Sequence, residues 1–279
     1  MIINFNNRQI NVNQGELIKD VLKEEIANGS VKNPIAARYN NSVVSLNEII
    51  DKSGTIELIN RANKDGRYIY IRGALFIVSM AIYELYPYAR FAVNYQLSNA
   101  MYCALENIDL NERIIDEIRN KVNEIIDADK EIRRVEMTKE EADQFYRDNP
   151  TIRGRLQVDT EKEKVTLYYC DKYYNYFYGV MPISTGFINL FDIMKYQNGF
   201  LIRYPNRMEP NIINPYQESK KLLATLEEYD DINSILGIST LEQLNAKIRK
   251  GDIKEIILLS EALHEKKISQ IADKIAIDR

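Results

Sequence analysis

A run of ten residues, ALFIVSMAIY from Ala74 to Tyr83, carries no charge and ends only at Glu84. At helical spacing, Leu75, Phe76, Val78, Met80, Ala81 and Ile82 leave most faces of the helix apolar. Such a helix has to be enclosed by other elements. Gly73–Leu85 is therefore predicted to be a central, buried helix. Pro87 sets its end, because the residue before a proline avoids helical angles. The run is too short for a membrane crossing, which needs about 20 residues, so no membrane span is expected.

The segments on either side of this helix have different patterns. In residues 1–62, IINF and QINV alternate around Asn6-Asn7-Arg8 as a hairpin does. From Glu16, the residues Leu17, Ile18, Val21, Leu22 and Ile26 recur at helical spacing until Asn28-Gly29-Ser30. IAARY from Ile35 and IELI from Ile56 read as returning strands. This pattern fits a β-grasp, ubiquitin-like unit and fits a generic small α+β unit equally well. Asn63-Lys64-Asp65-Gly66 reads as its boundary, with Arg61, Lys64 and Arg67 as solvated linker charge.

Residues 67–205 form a second block around the central helix. Leu110–Ile126 is predicted to be an amphipathic helix, and Thr138–Tyr146 a short one with Thr138 and Glu141 as a capping box. LQVD and KVTLYY are predicted to pair around Thr160-Glu161-Lys162-Glu163. Pro205, Pro210 and Pro215 mark a linker. Residues 214–279 are predicted to be helical, with starts at Asn214-Pro215 (closed by Gln217), at Ser239 with Glu242, and at Asp252 with Glu255. The class is α+β.

The chain of 279 residues, 45% of them hydrophobic, can fill a core in each of two domains. Its net charge of −4 gives no global field to recruit nucleic acid, so any RNA contact has to use a local patch. Two cysteines, Cys103 and Cys170, make no disulfide framework and suit a reducing cytoplasm. MIINFNNRQINVN has no basic stretch followed by an apolar one, so a cytoplasmic location is expected.

Several chemistries are excluded by the residues present. His264 is the only histidine and lies near the apolar stripe of the last predicted helix, so a Ser-His-Asp or Cys-His mechanism has no base in place. A His-rich zinc site is excluded, and two distant cysteines do not make a thiolate one. Asp127-Ala-Asp129-Lys-Glu131 lacks the glycine and the closing glutamate of a calcium loop, and reads as a solvated helical face. Neither G-x-x-x-x-G-K-[ST] nor G-x-G-x-x-G occurs.

YYCDKYYNYFY, Tyr168 to Tyr178, places seven rings in eleven positions, in a chain with 19 Tyr and no Trp. Aromatic residues favour strands and pack on sheet faces. They also stack on bases and sugars. The pattern leaves core packing and pocket lining both open.

Residues 1–62 resemble a TGS domain, and residues 67–205 resemble the editing domain that follows it in threonyl-tRNA synthetases. The matching stretches are ALFIVSMAIYELYPYARFAV (Ala74–Val93), YFYGVMPISTGFINLFDI (Tyr176–Ile193) and GFLIRYP (Gly199–Pro205), in the right order and spacing. The arrangement, followed by a helical segment, is similar to the N-terminal half of bacterial uridine kinase-like proteins. That resemblance implies a P-loop kinase domain, using ATP and Mg, beginning about where this chain ends, and no cofactor in this chain itself. It departs from the synthetase at four positions. The editing motifs, His-x-x-x-His and Cys-x-x-x-His, fall on Arg72, Phe76, Phe177 and Met181. A guanidinium stays charged at working pH, and Phe and Met have no proton to move. No editing catalysis and no zinc are therefore expected.

Three roles follow from the resemblance. The first is a non-catalytic region that binds RNA or a nucleotide and regulates an attached kinase. The second is a free-standing aminoacyl-tRNA deacylase, against which the four replacements argue. The third is a scaffold pairing with a further domain or a second copy through its last helix. A changed ligand pocket would use Arg72, Tyr174, Tyr176, Tyr178, Ser184 and Thr185, unless Arg72 is occupied internally by Asp171 or Asp192.

Overall fold

The computed structural model describes residues 1–29, 31–148 and 163–277. Its first elements follow from paired asparagines. Asn6 and Asn7 have φ of 47° and 63° and close a two-residue turn between β1 (Ile2–Phe5) and β2 (Arg8–Asn11). Positive φ at both turn positions matches the twist of the flanking strands, and Asn tolerates it. Asn40 and Asn41, at 46° and 70°, do the same between β3 (Ala36–Tyr39) and β4 (Ser42–Val44), a strand the hydrophobic pattern had not suggested. The single helix expected after Glu16 is two short ones, α1 (Ile18–Val21) and α2 (Lys23–Ala27), broken where Leu22 leaves helical angles. With β5 (Gly54–Ile59), the strands order as β2-β1-β5-β3-β4; β1 and β5 run parallel and the remaining pairs antiparallel. Ile3, Phe5, Ile18, Leu22, Ile56 and Leu58 share one buried core beneath this mixed sheet.

The central helix α3 (Lys64–Leu85) starts at Lys64, not Gly73. The Asn63 side chain accepts from the Asp65 N–H at 2.9 Å and caps it, so the expected boundary at Asn63–Gly66 is the helix's first turn. Gly66 packs so closely that a Cβ there would lie 2.0 Å from the Asn60 carbonyl oxygen. By length and composition α3 could cross a membrane, but 67% of its apolar stretch is buried inside the molecule, and it is a core helix.

Around α3 stand β6 (Arg90–Leu97), β7 (Ala100–Glu106), α4 (Glu112–Asp127), β8 (Arg133–Thr138), α5 (Lys139–Asp148), β9 (Lys164–Cys170), β10 (Tyr173–Tyr176), β11 (Asp192–Tyr196) and β12 (Gly199–Arg203). They form antiparallel sheets of order β11-β12-β7-β6 and β10-β9-β8. Phe76, Ile77 and Ala81 of α3 share a core with Ile115 and Ile118 of α4 and with Phe200 and Ile202 of β12. Ile35, Ala36 and Ile59 of the first block belong to that same core. The capping box of α5 is present: Glu141 N donates to Thr138 Oγ1 at 3.1 Å, and Thr138 N to Glu141 Oε2 at 2.8 Å. LQVD lies outside the described residues, and its intended partner β9 pairs with β8 and β10.

The chain divides into two compact units, with the break after Gln217. In the first, Asn214 starts no helix: its amide donates to Glu209 and its carbonyl accepts from Arg203, tying down the proline-marked segment. The second holds α6 (Lys220–Leu236), α7 (Leu241–Lys250) and α8 (Ile253–Ile277). Thr240 and Gln243, one residue beyond the expected pair, form the capping box of α7. Gly237 and Gly251, at φ 66° and 84°, end α6 and α7.

Candidate functional site

Residues four apart on a helix share a face, and α3 presents Arg72 and Phe76 in this way beneath the segment that follows β10. Arg72 donates from Nε and from a terminal nitrogen to the Val180 carbonyl, at 3.0 and 2.8 Å. Gly179 turns the segment at φ 94°, and a Cβ there would stand 3.3 Å from Arg72 Cζ. The Tyr168 hydroxyl donates to the Gly179 carbonyl at 2.6 Å. Phe76 is fully buried and meets Phe177 and Tyr173 edge-on, with ring centroids 5.8 and 5.1 Å apart. Met181 is buried in the same core. Arg72, Phe76, Phe177 and Met181 thus lie together around the Val180 carbonyl and the α3 core.

Its chemistry is that of a clamp lined with apolar groups. Burial lowers the Arg72 pKa, with Tyr168 and Asp65 opposing, but a guanidinium remains charged. Burial raises the Tyr168 pKa. It also drives the nearby Cys170 thiol up to about 11, away from a reactive thiolate. The carboxylates considered as Arg72 partners are engaged elsewhere, Asp171 with Lys130 and Asp192 with Arg203. The partner is a main-chain carbonyl, a hydrogen-bonding group that residue types do not advertise.

The rings divide by strand alternation. Tyr173 is buried and donates to Ser79 Oγ at 2.6 Å. Tyr174 packs instead on Tyr169 and Phe145, at 4.4 and 4.3 Å between centroids. Tyr176 is 37% exposed and Tyr178 80%. Thr185 is fully buried and pins the Ser-Thr-Gly turn: its hydroxyl donates to the Ile125 carbonyl and accepts from Lys130 N. Ser184 donates to Asp129. Of the six suggested pocket residues, Arg72 lies among the four converging positions. Thr185 and Ser184 hold the turn, Tyr174 packs on Phe145 and Tyr169, and Tyr176 and Tyr178 are exposed.

Asp127–Glu131 is exposed to solvent as expected, but the helix ends at Asp127 and Asp129 bonds to the Ser-Thr-Gly turn. It leaves α4 at φ 43° and accepts from Gly186 N at 3.0 Å as well as from Ser184. It is one wall of a cavity of about 300 Å³ whose lining includes Pro34, Ile35, Arg61, Tyr70, Phe187 and Asn189. Arg61 is no linker charge. It donates to Asn189 Oδ1 at 2.9 Å and Asn211 Oδ1 at 3.2 Å, and lies over the Tyr70 ring at 5.5 Å. Arg67 is anchored on Asn99 and over the Tyr204 ring. Sequence patterns missed this cavity because its walls come from four separate stretches of the chain. In the helical unit, His264 lines a smaller cavity of about 150 Å³ beside Lys267 and Glu228, which pair with one another.

No family model matches the chain. It is similar to threonine–tRNA ligases. That of Rubrobacter xylanophilus is 28% identical over 189 residues, covering 67% of this chain and 29% of the relative. That of Staphylococcus carnosus is 24% identical over 188 residues, covering 66% and 29%. That of Clostridioides difficile is 32% identical over 129 residues, covering 45% and 20%. The chain therefore spans less than a third of the length of these curated relatives, and its α+β architecture accords with likeness to a region of them.

Proposed function

We propose that the chain is a tRNA-engaging module with the architecture of a synthetase editing region but without its hydrolytic chemistry. On this reading residues 1–62 are a β-grasp TGS unit, residues 67–205 an editing-like unit, and residues 214–279 a helical segment. The observation that carries it is the convergence of Arg72, Phe76, Phe177 and Met181, with the Arg72 fork on the Val180 carbonyl and the two rings in edge contact. Nothing at those positions can take or deliver a proton near neutral pH. The relatives favour tRNA as the partner, because they are ligases of threonine to tRNA. Regulation of an attached nucleoside kinase, with its ATP and Mg, draws no support from them. A cytoplasmic location accords with a tRNA partner.

Fluorescence anisotropy with labelled threonine tRNA tests the binding half of this reading. Binding tighter than about 1 μM, the strong end of non-specific contact at physiological salt, supports it. Binding no tighter than that, or equal affinity for an unrelated duplex RNA, contradicts it.

A further inference from the structure

The cavity beside the first block carries two fixed charges of opposite sign that do not pair. Arg61 is oriented by two asparagine oxygens and by the Tyr70 ring, all neutral, and among the described residues no carboxylate stands within 4 Å of it. Two of its five N–H donors are used in these bonds. Asp129, on the lining of the same cavity, is oriented by the Ser184 hydroxyl and the Gly186 N–H, again neutral donors, and both bonds fall on Oδ1. Among the described residues no cation pairs with it. Gly186 is required for this approach, since a Cβ there would lie 2.4 Å from Asp129 Oδ1. The cavity lining also holds apolar Pro34, Ile35 and Phe187, beside polar Asn33 and Asn189. The volume of about 300 Å³ is at the lower end of ligand pockets, which combine apolar walls with a few oriented polar groups.

Charges held in place by neutral groups cost little to reorganise when a ligand arrives, and both are left to be matched by it. We propose that this cavity binds a small zwitterion of the amino-acid class, with its carboxylate on Arg61, its ammonium on Asp129 and its apolar part against Phe187 and Pro34. A free amino acid and a dipeptide share that chemistry and differ in the separation of their charges. The proposal does not rest on the tRNA reading, because the cavity shares no residue with the Arg72 clamp.

Calorimetry on the full chain tests it with leucine, alanyl-leucine, leucinamide (cation only), N-acetylleucine (anion only) and adenosine monophosphate. The expected result is a dissociation constant of about 1 mM or tighter for leucine or the dipeptide, with both singly charged analogues at least about tenfold weaker. Asp129→Asn keeps an oxygen for Ser184 and Gly186, and should weaken the zwitterion by at least about tenfold with an unchanged melting temperature. Arg61→Gln should do the same. Failure of both zwitterions to bind at about 10 mM overturns the proposal. So does N-acetylleucine or the nucleotide binding as tightly as leucine, or full affinity in Asp129→Asn.

Discussion

Arg72 is held by the main chain: its guanidinium forks onto the Val180 carbonyl. Its two N–H groups satisfy a main-chain carbonyl that would otherwise be left without these donors under the Gly179–Met181 segment. Arg72→Ala removes both bonds and should cost about 1.5–3 kcal/mol of stability, the range for hydrogen bonds to a charged group. Urea denaturation measures it. Arg72→Lys, which keeps the charge but not the planar fork, should fall between wild type and alanine. Two tyrosines contribute to the loss of stability at alkaline pH. Burial first, with Glu117 adding, pushes the Tyr86 hydroxyl up to about 12, and burial pushes Tyr204 up to about 12. Their ordinary value is about 10, so the folded chain keeps these protons to higher pH than the unfolded one. The stability they contribute is complete below about pH 10 and is lost as pH rises towards 12. Melting temperatures across that window should fall. Tyr204→Phe should make the fall shallower, because it removes one of the two titrating hydroxyls.

At the scale of elements, Gly73 decides how closely α3 approaches the segment above it. Alanine in a helix interior is ordinarily about 1 kcal/mol better than glycine. Here a Cβ would stand 2.6 Å from Pro182 Cγ and 2.8 Å from Ile188 Cδ1, so Gly73→Ala should destabilise by about 1–3 kcal/mol. A thermal melt reads the sign directly, and a stabilised variant would show that α3 has room to shift. The elements most legible in the sequence were those whose signals are local. The Asn6-Asn7 hairpin, the amphipathic α4 and the Thr138–Glu141 box all follow from residues within a few positions of one another. The start of α3 was misplaced because Lys64 and Arg67 read as linker charge, whereas Asn63 caps the helix and Asn99 with the Tyr204 ring anchors Arg67. Asn214 looked like a cap, but its carbonyl is held by Arg203 and its amide by Glu209.

For the whole molecule, Phe187 packs against the core under the first sheet and against the core around α3, and Ile35, Ala36 and Ile59 cross from the first block into the larger core. The Ser-Thr-Gly turn ahead of Phe187 is pinned by Thr185 on the Ile125 carbonyl and by Asp129 on Gly186 N, so this junction and the Arg72 clamp belong to one continuous segment. The positions of Arg72, Phe76, Phe177 and Met181 could be marked in the sequence through the editing-motif resemblance, but the fork on Val180 could not, since main-chain acceptors leave no trace in residue type. The central claim is that this segment preserves the architecture of an editing cleft with the chemistry removed. Release of the amino acid from a mischarged threonine tRNA, measured in single-turnover conditions with the chain in excess, tests it most directly. The account predicts that the rate equals uncatalysed hydrolysis in wild type and in Arg72→Ala alike, while the tRNA is retained. Release faster than the uncatalysed rate, abolished by substitution at Arg72, would contradict it.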